Sequence, residues 1–490
     1  MPSGWIWTTI GQICEKPAIV DPKSNPTKTF RYVDISSISN ETFTIVNPKT
    51  LVGAEAPSRA RKSIKGGDIL VSTVRTYLRN IAIVPPELDG EICSTGLCVL
   101  RTIERIVEPR LVFRYVISND FVNRLTREQR GISYPAVTDR YVYSQQFPLP
   151  PLAEQKKISA RIEESFSRIT LARDSLQKVL PMVQKFRLSV LAKAFRGEFT
   201  KRSSVVESGE ELFHKISLER RKTYDSQHHD YKQPERADPS ELPEIPKTWT
   251  WVRLEEICSQ ITDGTHITPK YTEKGIRFLS VKNVREGVIL DDDVKYISEE
   301  QYRELIKHCK PEKGDILYTK VGSIGKAAVV SVNYGFSIFV SLALLKPLRS
   351  VVLSKFLEYL LNSPLVLAQA LARKKGIGVP DLHLIEIRDF KLCIPPLDEQ
   401  GQIVEVIDRL YARSKAAEKS IRRGLDSCAV LEQSILSKAF RGKLVPQDPN
   451  DEPAFVLLEG IKAPHGETSR KGKLQTLLEI GTPAKITPKA

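Results

Sequence analysis

Nowhere in the 490 residues does an apolar run approach the ~20 residues that a helix needs to cross a bilayer. The opening Met1-Pro2-Ser3-Gly4-Trp5 has no basic segment followed by an apolar stretch, so a secretory leader is not expected. Cysteine is sparse: seven residues, scattered singly, with no Cys-x-x-Cys pair. That argues against zinc ribbons and dithiol redox chemistry. Cys93 and Cys98 come closest, within an apolar segment that reads as strand. The seven histidines show no metal-ligand spacing; His266, in Asp263-Gly264-Thr265-His266, reads as a polar loop contact, structural or to a ligand. A soluble cytoplasmic protein with reduced thiols is the simplest expectation.

Acidic residues are in deficit, 59 against 74 lysines and arginines, for a formal charge of +15. Such an excess favours a polyanion partner, most often nucleic acid, over an uncommitted solvated surface. Catalytic motifs are also missing. The Pro-Pro pairs follow Val84, Leu149 and Ile394 and precede Glu87, Leu152 and Leu397, so none forms the Asn/Asp-Pro-Pro-aromatic motif of amino-methyltransferases. No G-x-G methyl-donor motif is evident, and Gly322 to Ala327 is too short for a phosphate-binding loop. Pro380-Asp381 followed by Asp389-Phe390-Lys391 loosely fits a magnesium-dependent nuclease pattern, which keeps a nuclease using Asp381 and Asp389 open as an alternative. The corresponding first-copy residues, Ala136, Ser144 and Gln146, could not do this.

What the chain does have is itself, twice. The four tryptophans fall as Trp5-Ile6-Trp7 and Trp249-Thr250-Trp251, 244 residues apart. Gly67-Asp68-Ile69-Leu70 returns as Gly314-Asp315-Ile316-Leu317, and Pro150-Pro151-Leu152-x-Glu154-Gln155 as Pro395-Pro396-Leu397-x-Glu399-Gln400. Lys193-Ala194-Phe195-Arg196-Gly197 returns as Lys438-Ala439-Phe440-Arg441-Gly442. Offsets drift between 244 and 247 before the Pro-Pro signature and hold at 245 from there to Phe440, as expected of a long helix in fixed register.

A heptad row supports that helix: Ile162, Ile169, Leu176, Val183 and Val190, interleaved with Ile158, Ala172, Val179 and Phe186. The second copy has Ile407, Ser414, Ile421, Cys428 and Ile435, interleaved with Ile403, Leu410, Ala417 and Leu431. The 3.5-residue period predicts left-handed packing of two helices, each about 42 residues and ~63 Å long. The alternative is an ordinary long helix on a globular core. Pro181, whose counterpart is Asp426, should kink the first helix.

The expected organisation is a globular segment at 1–150, a helical strut at 151–200, and a short helix with linker at 201–245. A second globular segment follows at 246–395, a second strut at 396–445, and a short helix with a poorly ordered tail at 446–490. Strands are expected at 69–74, 81–84, 327–330 and 339–345, helices at 109–125 and 353–373, giving an α+β fold with mixed sheets.

Between the first strands of each segment lies a turn rich in basic and hydroxyl groups, Arg75, Thr76, Tyr77, Arg79 and Asn80 in one copy, Lys320, Ser323 and Lys326 in the other. Arg130, Ser133 and Tyr134 follow later, matched by Lys374 and Lys375. Phosphate anchoring and base-edge hydrogen bonding need such side chains on rigid mounts; solvated turns are the alternative.

Taken together, the Trp-x-Trp openings, Gly-Asp-Ile-Leu, the Gly131 to Thr138 segment, the Pro-Pro-Leu-x-Glu-Gln helix starts and the Lys-Ala-Phe-Arg-Gly helix ends resemble type I restriction–modification specificity subunits over nearly the whole chain. Asp263 through Val284 is similar to a common type of target-recognition domain. The resemblance adds Thr138, Thr265, His266, Lys282 and Asn283 to the candidate DNA contacts. It implies two tandem mixed α/β target-recognition domains joined by two long antiparallel coiled-coil helices with pseudo-twofold symmetry, and no catalysis by this chain. It also implies double-stranded DNA, two methyltransferase subunits and two restriction subunits as partners. S-adenosylmethionine, ATP and Mg2+ would then belong to those partners, with no cofactor and no membrane for this chain. A coiled-coil scaffold that never touches DNA remains the other alternative.

Overall fold

The computed structural model describes residues 1–131, 135–200, 208–225, 236–238, 240, 242–374 and 380–459. The chain forms two compact units: Met1–Arg173 with the described residues from Asp426 on, and Asp174–Leu425.

Both units are built on one plan. In the first, an antiparallel sheet runs in the order Cys14–Glu15, Leu97–Thr102, Ile69–Ser72, Ile81–Ile83. In the second, Cys258–Asp263, Leu342–Pro347, Ile316–Thr319 and Ala327–Val329 repeat that order. Each is accompanied by a sheet containing one parallel pair, Thr29–Val33 with Ile92–Ser94 and Ile276–Leu279 with Phe336–Ile338. Each Trp-x-Trp segment forms a strand paired with the strand that leads into Pro-Pro, Ile6–Thr9 with Gln146–Leu149 and Thr250–Arg253 with Lys391–Ile394.

Two expectations change in detail. The apolar run 339–345 is not one strand: Phe336–Ile338 and Leu342–Pro347 belong to different sheets. Between them the backbone crosses over, where Phe339 N–H donates to Leu279 and Val340 N–H to Thr265. Each long apolar helical run is two helices, Pro109–Val116 then Asn119–Arg127, and Ser354–Leu361 then Pro364–Arg373. Ser118 and Ser363 break them by capping the second helix, accepting from the N–H of Phe121 and Val366.

The long helices are Leu152–Ala194 and Leu397–Ala439, 43 residues each and so ~64 Å long. The first runs on through Pro181. Pro-Pro precedes each, and each gives way to a glycine in the left-handed region, Gly197 (φ 74°) and Gly442 (φ 66°). A side chain at Gly197 would collide with Pro246 and one at Gly442 with Pro2.

Within each unit the helical segments run antiparallel. Lys157 meets Asp451 and Arg173 meets Glu432 in the first; Leu176 lies against Gly424 and Arg187 bonds Glu418 in the second. The internal repeat maps Arg173 onto Glu418 and Arg187 onto Glu432, so the two ion pairs are exchanged copies of one contact. The core of the first unit takes in Leu436 and Ala439 from the second long helix, and Phe440 stacks edge-on against Tyr115. The core of the second takes in Leu191, Ala194 and Phe195 from the first, with Phe195 edge-on to Phe356. Each Ala-Phe-Arg-Gly signature thus plugs the end of one copy's helix into the other copy's globular part.

The heptad reading holds for one row. Ile162, Ile169, Val183 and Val190 are buried, as are Ile407, Ser414, Ile421 and Cys428. Of the interleaved row, Ile158 and Ile403 are buried beside the globular parts, while Ala172, Val179, Phe186, Ala417 and Leu431 are exposed. Two helices alone cover one row each, and the second row is covered only where a third element packs on it.

Candidate nucleic-acid interface

The recurrent motifs turn out to brace the scaffold. Gln155, fully buried, donates from Nε2 to the carbonyls of Ile106 and Pro150 and accepts from the Glu108 N–H at 2.8 Å. Gln400 repeats this with Val351, Pro395 and the Leu353 N–H. One amide side chain thereby locks each long helix to its globular part. The aspartate of Gly-Asp-Ile-Leu is structural too. Asp68 accepts the Lys65 N–H and a bidentate Arg101 at 2.7 and 3.0 Å; Asp315 accepts the Glu312 N–H and Lys346. The hydrogen bond to Asp68 raises the Arg101 pKa. Trp5 Nε1 donates to Glu154 at 2.8 Å.

On that scaffold two loops meet at one edge of each unit, in the same register. In the first unit Val74 bridges Ala136, Arg75 N–H donates to Pro135 O at 2.7 Å, and Val137 N–H donates to Thr73 O at 2.8 Å. In the second, Val321 bridges Asp381, Gly322 N–H donates to Pro380 O at 2.8 Å, and Leu382 N–H to Lys320 O at 2.9 Å. The structure therefore brings together the two loops that the sequence singled out, twice.

What the loops carry differs. Arg75 and Arg79 both adopt left-handed backbone, φ 48° and 56°, around a single 3-10 turn, Thr76–Leu78, that presents Tyr77 to solvent. Non-glycine residues reach this region at a cost, and such strain gathers at functional loops. The second copy uses Gly322 and Gly325 there, and buries Ile324 where the first exposes Tyr77. Arg79 donates to Asn119 Oδ1, and burial lowers its pKa. Arg130 and Thr138 are exposed beside the turn, with Arg130 and Ala136 exchanging backbone hydrogen bonds at 3.0 Å. In the second unit His266, Lys282, Ser323 and Lys374 are exposed, and Lys326 is half-buried in a cleft of about 620 Å3 that Arg187, Glu358 and Tyr411 also line. Ser133, Tyr134 and Lys375 lie outside the described residues.

Several candidates face inward instead. Thr76 Oγ1 bonds Thr126 Oγ1, Asn80 donates to the carbonyls of Ile35 and Ile38, and Asn283 accepts the Ser280 N–H. Thr265 Oγ1 closes a turn with Ile267. Lys320 is buried, its Nζ 3.3 Å from Asp263 and 3.8 Å from Asp381. These side chains hold the loops in place through bonds within the unit, Thr265 doing so in an exposed turn. Sequence reasoning left out Asp263 as a contact; its pairing with Lys320 and His266 (3.4 Å) depends on a fold that brings distant residues together.

The nuclease pattern comes apart here. Asp389 is held by Lys391 at 2.7 Å, Arg373 at 2.9 Å and Arg253 at 3.0 Å, which leaves its carboxylate committed to three cations. Asp381 sits against Lys320 instead. Among the described residues no group of three His, Cys, Asp or Glu side chains is placed to hold a metal ion, and no helix is long and apolar enough to cross a membrane.

Comparison with known proteins agrees with this arrangement. The family model described as the type I restriction modification DNA specificity domain matches residues 2–180 and 246–425, one match per copy. The type I restriction enzyme EcoBI specificity subunit of Escherichia coli is 26% identical over 373 residues, 73% of each chain. The EcoKI specificity subunit of Escherichia coli strain K12 is 23% identical over 77% of each. Among solved structures, the HsdS subunit from Thermoanaerobacter tengcongensis is 30% identical with a TM-score of 0.55, over 90% of this chain and 98% of that one. A chain from a study of complex assembly and conformational transition of the type I R-M system is 31% identical with a TM-score of 0.64, over 90% and 99%. A doubled domain of this kind, with matching loop junctions and a family match over most of the chain, belongs to the type I restriction–modification DNA specificity family, whose members are the non-catalytic specificity subunits of these enzymes.

Proposed function

We propose that this chain reads an asymmetric, split DNA target for a type I restriction–modification complex and directs adenine-N6 methylation and restriction by its partners. The observation that carries this reading is the loop junction, built to one register in both units and furnished with different side chains in each. A common mount with divergent contacts is what two readers of different half-sites require. Each reader senses a few base pairs, and a wrong pair costs about 1–3 kcal/mol, roughly additively, so coupling two readers multiplies their selectivity. The two long helices set the unread spacer between half-sites. The +15 formal charge supports binding to a polyanion.

Two methyltransferase subunits, carrying S-adenosylmethionine, and two restriction subunits, using ATP and Mg2+, complete the proposed assembly in the cytoplasm. This chain binds none of those cofactors. The exposed row Val179 and Phe186 offers helix surface for such partners. Sequencing modified adenines in the host genome, with and without the gene, tests the proposal. A split motif that vanishes with the gene is expected; an unchanged methylation map would refute it.

A further inference from the structure

We infer that Asp381 is a base-reading residue of the second reader, accepting a hydrogen bond from the exocyclic amine of adenine or cytosine in the major groove. The inference rests on the DNA-reading function proposed above and assigns one contact within it. Asp381 stands at the loop junction, bridged to Val321, in the place that Ala136 takes in the first unit. Its side chain is 41% exposed; Oδ1 is enclosed and has no hydrogen bond among the described residues, so a base would meet the exposed remainder of the carboxylate. The nearest cation among the described residues, Lys320, lies 3.8 Å from that oxygen and closer, at 3.3 Å, to Asp263, on which His266 also stands at 3.4 Å.

A carboxylate is an acceptor only. On an edge that faces a polyanion it repels phosphate, so its place there needs a donor from the ligand. Base edges in the major groove supply such donors as adenine N6 and cytosine N4, while guanine O6 and thymine O4 are acceptors and would be repelled. Buried Lys320 stands behind the carboxylate and offsets part of its charge without reaching the surface itself. The earlier resemblance of this segment to a nuclease motif is thus absorbed by recognition. The first reader, with Ala136, has no counterpart to this contact.

The test is selection of duplexes, from a library randomised over both half-sites, by the assembled complex of this chain with its methyltransferase subunits. The parent is expected to admit adenine or cytosine at one position of the second half-site and to reject guanine and thymine by about tenfold or more. Asp381→Ala should level the four bases at that position and leave the first half-site unchanged. Ala136 shows that the junction folds with alanine. Asp381→Asn, whose amide can donate as well as accept, should admit guanine and thymine. The assignment is overturned if either variant selects the parent's sequences, weakens binding to all sequences alike, or shifts the first half-site. Exchange of residues 246–395 for another recognition domain, run in parallel, must change the second half-site. If it does not, DNA reading by this unit falls, and the role of Asp381 with it.

Discussion

At the scale of single residues, the motifs that announce the family are structural anchors, and the loop junctions set on them carry different side chains in the two copies. Gln155 illustrates the first kind, since three backbone groups depend on its amide. Gln155→Leu would leave them buried without partners, costing about 3 kcal/mol. Denaturant unfolding should show that loss, while an equivalent change at exposed Lys374 should register under 0.5 kcal/mol. The cysteines give a second check. All seven are buried, and burial pushes Cys14, Cys93, Cys309 and Cys393 up to about 12 and raises Cys98 and Cys258 as well. At pH 8 a thiol reagent should label none of these six quickly in the folded chain and all of them after denaturation. Because these six thiols ionise near their ordinary value only when unfolded, their contribution to stability is complete below about pH 8.5 and is lost progressively as pH rises toward 12.

Much of the site could be read from the sequence at this scale, but not its polarity. Loop positions followed from the internal repeat, and the repeat needs no structure. Which hydroxyl or amide turns inward depends on contacts between residues far apart in the chain. Asn80 reaches back to Ile35 and Ile38, and Lys320 finds Asp263 and Asp381. Nothing local in either sequence marks those partners. Asp381 was visible only as half of a weak nuclease pattern, until the backbone placed it at the junction.

At the scale of elements, the long helices were legible almost to the residue, because Pro-Pro and Arg-Gly punctuate them and the heptad row fills the space between. The interleaved row was misjudged in mid-helix for a physical reason: periodicity reports which side chains are apolar, not which surface will cover them. Val183→Ala, in the buried row, should cost about 1.5–2 kcal/mol. Phe186→Ser, in the exposed row, should leave the melting temperature of the isolated chain nearly unchanged, which differential scanning calorimetry can check. The helices also make a length prediction. Seven residues inserted into both add ~10 Å, or about three base pairs of spacer at 3.4 Å each. Methylome sequencing of that variant should find the half-sites intact and the gap widened. An unchanged gap would show that the helices do not set it.

At the scale of the whole molecule, duplication explains the economy of the design. One scaffold, with its glutamine lock, buried aspartate and phenylalanine plug, is made twice, and selection is free to alter the loops on each copy separately. The strand order of the antiparallel sheet, the helix breaks and the loop register coincide between the units, whereas Tyr77 faces solvent where Ile324 is buried, and Ala136 stands where Asp381 does. Independence of the two readers is the central claim, and exchange of one reader tests it most directly. Residues 1–145 are replaced by the corresponding segment of another specificity subunit, and the methylated motif is mapped by genome sequencing. The account predicts a new sequence in one half of the motif, with the other half and the spacer retained; a change in both halves would contradict it.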